Sequence, residues 1–100
     1  MVNKYNIGMK KFFYRVQQGD TLNLIAQKFS APIGRLIYNN NLTKEVSAGD
    51  IILVEQAKNV YVVKPLDKLE DLAKKLKLTP QEILDKNHIE YIYCGLLIEI

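Results

Sequence analysis

The chain contains no tryptophan, one cysteine and one histidine. With Cys94 alone, an intramolecular disulfide framework is excluded, so a fold this small has no covalent staple. His88 has no cysteine pair or second histidine beside it, and neither a metal nor a cofactor is expected. His88 reads as a solvated loop residue, and Cys94 as a small buried or half-buried thiol with no group to activate it. No apolar run approaches the ~18 residues of a membrane-spanning helix, so membrane insertion is not expected. The opening MVNKYNIGMKKFFY lacks the apolar core and small-residue cleavage site of a secretory signal. Synthesis in the cytoplasm without that export route is the expectation. Carboxylates paired for acid–base work are also missing, which argues against an enzyme.

What the chain does have is a globular balance of 48% apolar and 25% charged residues. Its net charge is +3, but the excess sits in residues 1–13, where Lys4, Lys10 and Lys11 stand without an acid. Lys74, Lys75 and Lys77 read as the solvated face of a helix rather than a phosphate-binding patch. A nucleic-acid partner therefore ranks low; its signature would be a steep loss of binding with salt.

The strongest positive feature is an internal repeat. Tyr14, Val16, Asp20 and Leu22 recur as Tyr61, Val63, Asp67 and Leu69, and Ala26 and Asn40 recur as Ala73 and Asn87. One deletion later, Gly49 recurs as Gly95 and Ile52 as Ile98. The chain divides into a leader (1–13), a first unit (14–54), a short linker (55–59) and a second unit (60–100). Units this small bury little core on their own, and the short linker predicts that they touch.

Each unit reads as strand, helix, helix, strand. The alternation at Tyr14–Gln17 begins a strand, which Gly19 ends. Asp20 and Thr21 are both acceptors suited to the free N–H groups of a first helical turn. Leu22, Ile25, Ala26 and Phe29 then form one helical face. Pro32 opens a second helix, whose face is Ile33, Leu36, Ile37 and Asn40, and Gly34 weakens its interior. Ile51-Ile52-Leu53-Val54 is a strand. In the second unit, Thr79-Pro80-Gln81-Glu82 combines an N-cap, a proline at the first helical position and a capping-box glutamate. There the opening turn Gly19-Asp20-Thr21 has become Leu66-Asp67-Lys68.

The string Tyr14-x-Val16-x-x-Gly19-Asp20-Thr21-Leu22-x-x-Ile25-Ala26-x-x-Phe29, followed by Leu36, Asn40, Leu42 and Gly49, resembles the lysin motif (LysM). Residues 61–100 keep its skeleton. The resemblance implies an α+β fold of two tandem βααβ units, each with two helices on one face of a two-stranded antiparallel sheet. It also implies a non-catalytic module for glycans containing N-acetylglucosamine, peptidoglycan or chitin, anchored to a cell or spore wall.

By position, the sugar groove implied for the first unit lies between Gly19, Asp20, Thr21 and Leu22 on one side and Val46, Ser47, Ala48 and Gly49 on the other. A weaker second groove would use Asp67 and Leu69 facing Ile92, Tyr93 and Gly95, with Leu66 and Lys68 crowding its rim. Backbone amides suit the polar ends of an N-acetyl group, and small apolar side chains suit its methyl. The expected picture is a neutral cradle. Tyr38 and Tyr93 lie near the groove segments in sequence, while Tyr5, Phe12 and Phe13 read as strand or core aromatics. An assembly module on the same scaffold, contacting other envelope proteins without sugar, is the alternative.

Overall fold

The structure, a computed structural model, describes residues 10–100. Lys4, Tyr5 and the leader up to Met9 lie outside the described residues. Eight elements follow in order: β1 (Lys11–Arg15), α1 (Leu22–Phe29), α2 (Ile33–Asn40), β2 (Ile51–Glu55), β3 (Val60–Val62), α3 (Leu69–Leu76), α4 (Pro80–Lys86) and β4 (Leu97–Glu99). β1 pairs antiparallel with β2, and β3 with β4. Two βααβ units therefore stand in tandem.

The first strand starts earlier than Tyr14. Lys11 already pairs with Glu55, and Phe12 with Val54. Phe12 and Tyr14 alternate to the helix side, where both rings meet Phe29 edge-on at about 5 Å. That aromatic contact extends the strand into the basic leader.

Helix boundaries follow the local chemistry. Thr21 caps α1, accepting from Leu24 N–H, and Ser30 closes it in the left-handed conformation. Pro32 precedes α2 without a side-chain cap. The capping box at Thr79 and Glu82 is complete: each side chain accepts from the other residue's N–H. The buried core takes Val16, Ile25, Leu36, Ile52 and Val54 from the first unit and Val63, Leu72, Ile83, Leu96 and Ile98 from the second.

Asn40 and Asn87 do the same task in each copy. Asn40 Nδ2 donates to the Leu36 and Leu53 carbonyls while its Oδ1 accepts from Leu53 N–H. Asn87 repeats this with the Ile83 and Glu99 carbonyls and Glu99 N–H. One amide side chain thus ties the end of a helix to the outer edge of a strand, satisfying groups that would otherwise face the interior unpaired.

The units touch in a specific way. Strand alternation puts Leu97 and Glu99 on the face of β4 turned away from α3 and α4, and both α1 and α2 contact β4. Leu97 is 2% exposed, whereas Ile51, its counterpart in the first unit, is 53% exposed. The first unit's helices therefore cover the second unit's sheet, and the first sheet's outer face is left open. Gly34 makes the approach possible. A Cβ there would collide with the Asn87 carbonyl, so the glycine is a contact point and not only a weak spot in α2.

Candidate functional site

In the first unit the two turns expected to face one another are joined by backbone bonds. Gly49 N–H donates to the Val16 carbonyl at 2.8 Å, and Val16 N–H to the Asp50 carbonyl at 2.8 Å. These bonds continue the β1–β2 ladder past Arg15↔Ile51. The 19–22 and 46–49 segments emerge from that end side by side.

The Asp20 side chain is not a helix cap. Its Oδ2 accepts from Tyr14 Oη at 2.5 Å and from Gln17 N–H at 2.8 Å, pinning the strand–helix turn back onto β1. The Tyr14 hydroxyl holds the Asp20 carboxyl below the usual carboxylate range, and the Gln17 N–H adds to this. The same bond pushes the Tyr14 hydroxyl up. Asp67 repeats the device with Tyr61 and Lys64 N–H, and is lowered for the same reason. Capping falls to Thr21 alone.

Side-chain roles differ from the expectation. Leu22 and Val46 are buried core residues and offer the groove only their backbones, while Gly19, Ser47, Ala48 and Gly49 are exposed. Ala48 is left as the exposed small apolar side chain of the two turns.

The cradle is also not neutral. Glu45, which sequence reasoning passed over, puts Oε1 against Leu22 N–H at 2.7 Å and Val46 N–H at 3.1 Å. One carboxylate oxygen bridges both turns. A lone acid in a loop gave no signal in the sequence, because only the fold brings residue 45 beside residue 22.

In the second unit the turn containing Ile92, Tyr93 and Gly95 is joined to the end of β3 in the same way. Gly95 N–H donates to the Val63 carbonyl at 2.8 Å, as Gly49 does to Val16. Two features set this groove apart. Leu66, where the first unit has Gly19, takes φ +73° and is 95% exposed. The Gly95 carbonyl accepts from Gln27 Nε2 of α1 at 2.9 Å, so the first unit leans on the turn.

The aromatics sort differently from their order along the chain. Tyr38 lies at the Glu55 end of the sheet, beside Asn39, Glu55 and Glu99. The antiparallel register puts that end opposite the 19–22 and 46–49 turns. Tyr38 instead stacks on His88 of the second unit, ring centroids 4.3 Å apart. Cys94 is exposed, not buried or half-buried as expected. Tyr93 lines a cleft of about 380 Å³ between the units, with Ile33 and Ile37 of α2 on the other wall. Among the described residues, no group of three or more His, Cys, Asp or Glu side chains could hold a metal ion. No helix there is long and apolar enough to cross a membrane.

Two βααβ units in tandem, each with its helices on a two-stranded antiparallel sheet, define the class as a small tandem α+β protein. This chain belongs to the LysM domain family, which matches it over residues 14–54 and 61–91. LysM domains are binding modules for peptidoglycan and chitin, not catalytic domains. Among solved structures, the chain is similar to the spore cortex-lytic enzyme SleL of Bacillus cereus, at 18% identity and a TM-score of 0.44 over 90% of this chain and 22% of that one. SleL of Bacillus megaterium QM B1551 gives 26% identity and a TM-score of 0.42 over 93% and 23%. The chain thus spans less than a quarter of the length of either enzyme. No curated protein matches it.

Proposed function

We propose that the first unit binds glycans containing N-acetylglucosamine, of peptidoglycan or chitin type, between residues 19–22 and 46–49, and so anchors the protein to a cell or spore wall. The observation that carries this reading is the bonding of the two turns through Val16, Gly49 and Asp50. In this reading the space between them is the recess, lined by backbone, by the exposed small residues Gly19, Ser47, Ala48 and Gly49, and by the Glu45 carboxylate that bridges the turns. The backbone and small side chains are the chemistry an uncharged amide-bearing sugar needs. Family membership supports the ligand class. Without a tryptophan to stack on, such a recess binds weakly, roughly millimolar to micromolar, or about −4 to −8 kcal/mol. Use on a polymer then depends on repeated engagement. Deposition on the wall after synthesis inside the cell belongs to the same proposal.

The second groove contributes less in this reading, because Leu66 stands at its rim and Gln27 occupies the Gly95 carbonyl. Titration of the whole chain with N-acetylglucosamine oligomers of four or more sugars, followed by amide NMR shifts, tests both statements. The expected result is shifts clustered at residues 19–22 and 46–49, weaker or absent at 66–69 and 92–95. Gly19→Val should reduce sugar retention more than Lys68→Ala, because Gly19 sits at φ +90°, where a β-branched residue is strained.

A second reading, protein–protein assembly on the same scaffold, draws on the open outer face of the first sheet. Phe13 is 75% and Ile51 53% exposed there, an apolar surface of the kind that partners cover. Absence of any shift at millimolar sugar would favour it.

A further inference from the structure

We infer that Glu45 is a built-in competitor for the first groove, holding with its carboxylate the amide donors that a ligand's carbonyl oxygen takes, so that the groove selects uncharged acetamido sugars over carboxylate-bearing ones. The inference deepens the glycan-binding reading above and rests on it. Leu22 N–H opens α1, and Val46 N–H belongs to the facing turn, yet both point at the same Glu45 oxygen. Donors from two sides converging on one point make a receptor for an acceptor atom. Glu45 fills it with an exposed side chain that is free to swing into water.

A peptide-like carbonyl is a weaker acceptor than a carboxylate, whose charge-assisted bonds are roughly twice as strong. A sugar acetamide therefore enters only at the cost of displacing the resident oxygen, which lowers the apparent affinity. A ligand bearing its own carboxylate meets a further cost. It must approach the displaced Glu45 anion, and Asp50, whose Oδ2 already accepts from Ser47 N–H at 2.9 Å, adds a second negative charge on the same turn. The second unit lacks the device, since Tyr91 stands where the first has Glu45.

The test compares the whole chain with Glu45→Gln, which keeps the side chain's size and acceptor oxygen while removing its charge. Binding of tetra-N-acetylchitotetraose and of a carboxylate-bearing muramic-acid oligomer would be measured by amide shifts at residues 19–22 and 46–49. In the ligand-free proteins, the Leu22 and Val46 amide protons should move upfield in the variant. Affinity for the neutral tetramer should rise roughly three- to tenfold, and affinity for the acidic oligomer should rise more, narrowing the gap between the two. Neutral-sugar binding that stays within about twofold of wild type, with the Leu22 and Val46 amides unmoved, overturns the role of Glu45 and leaves glycan binding standing. No shift at 19–22 or 46–49 in either protein with either ligand overturns both.

Discussion

At the scale of single residues, the most informative position is Leu66. A leucine at φ +73° occupies the left-handed region that Gly19 takes in the other copy at φ +90°. For a residue with a Cβ that conformation costs on the order of 1–2 kcal/mol. Leu66 recovers little of this by burial, being 95% exposed. The turn persists because Asp67 holds it, accepting from Tyr61 Oη and Lys64 N–H. Leu66→Gly should therefore relieve strain while giving the unfolded chain more freedom, the two effects partly cancelling. The expected net outcome is a gain of roughly 0.5–1 kcal/mol, read as a higher urea midpoint at unchanged slope. The substitution at Leu66 was legible in the sequence as an eroded motif. Its strain was not, because only the preserved Asp67 bonds force the glycine conformation on a leucine.

At the scale of elements, the repeat, both helical faces and the caps at Thr21 and Thr79 could be read directly from residue spacing, whereas Asp20, expected to cap beside Thr21, binds back to β1 instead. Leu22, Ile25, Ala26 and Phe29 recur at helical intervals, and the Thr79–Glu82 box is a local signature. Features set by distant partners could not. β1 reaches back to Lys11 because Phe12 meets Phe29, and Glu45 enters the groove because α2 and its following loop return to the start of α1. Gly34 carries both lessons. Within a helix, glycine is less favourable than alanine by about 1 kcal/mol, so Gly34→Ala judged on α2 alone should stabilise. Against the Asn87 carbonyl it must push the units apart, a disturbance of typically about 1–3 kcal/mol in a well-packed contact. The prediction is net destabilisation by up to about 2 kcal/mol. A rise in melting temperature instead would mean that α2 and the end of α4 are not in contact in solution.

At the scale of the whole molecule, the question is what makes two marginal units behave as one body. Apolar cover is part of it: Leu97 is buried by the first unit, and Ala57 of the linker is 4% exposed, its N–H bonded to the Ser30 carbonyl. Direction comes from Arg35. Its guanidinium makes a two-pronged contact with Glu99 at 3.0 and 2.8 Å and reaches Glu55 at 2.7 Å, joining α2, the end of β2 and β4. The three side chains are 20–30% exposed, so screening by water is reduced without being lost. A forked arginine contact fixes orientation as well as distance. The Glu99 carboxylate holds the Arg35 guanidinium firmly protonated, its pKa raised further by Glu55. Glu99→Gln should break the fork and leave Arg35 leaning on Glu55 alone, costing about 1.5–3 kcal/mol, the range for a hydrogen bond to a charged group. The cost alone does not distinguish a local loss from loosened docking, but amide exchange does. If Arg35 orients one unit on the other, protection should fall at Leu97 and at Gln27 of α1, far from residue 55, as well as around Glu99 itself. Protection lost only beside Glu99 would make the ion pair a local clasp and leave the docking to Leu97 and Gly34.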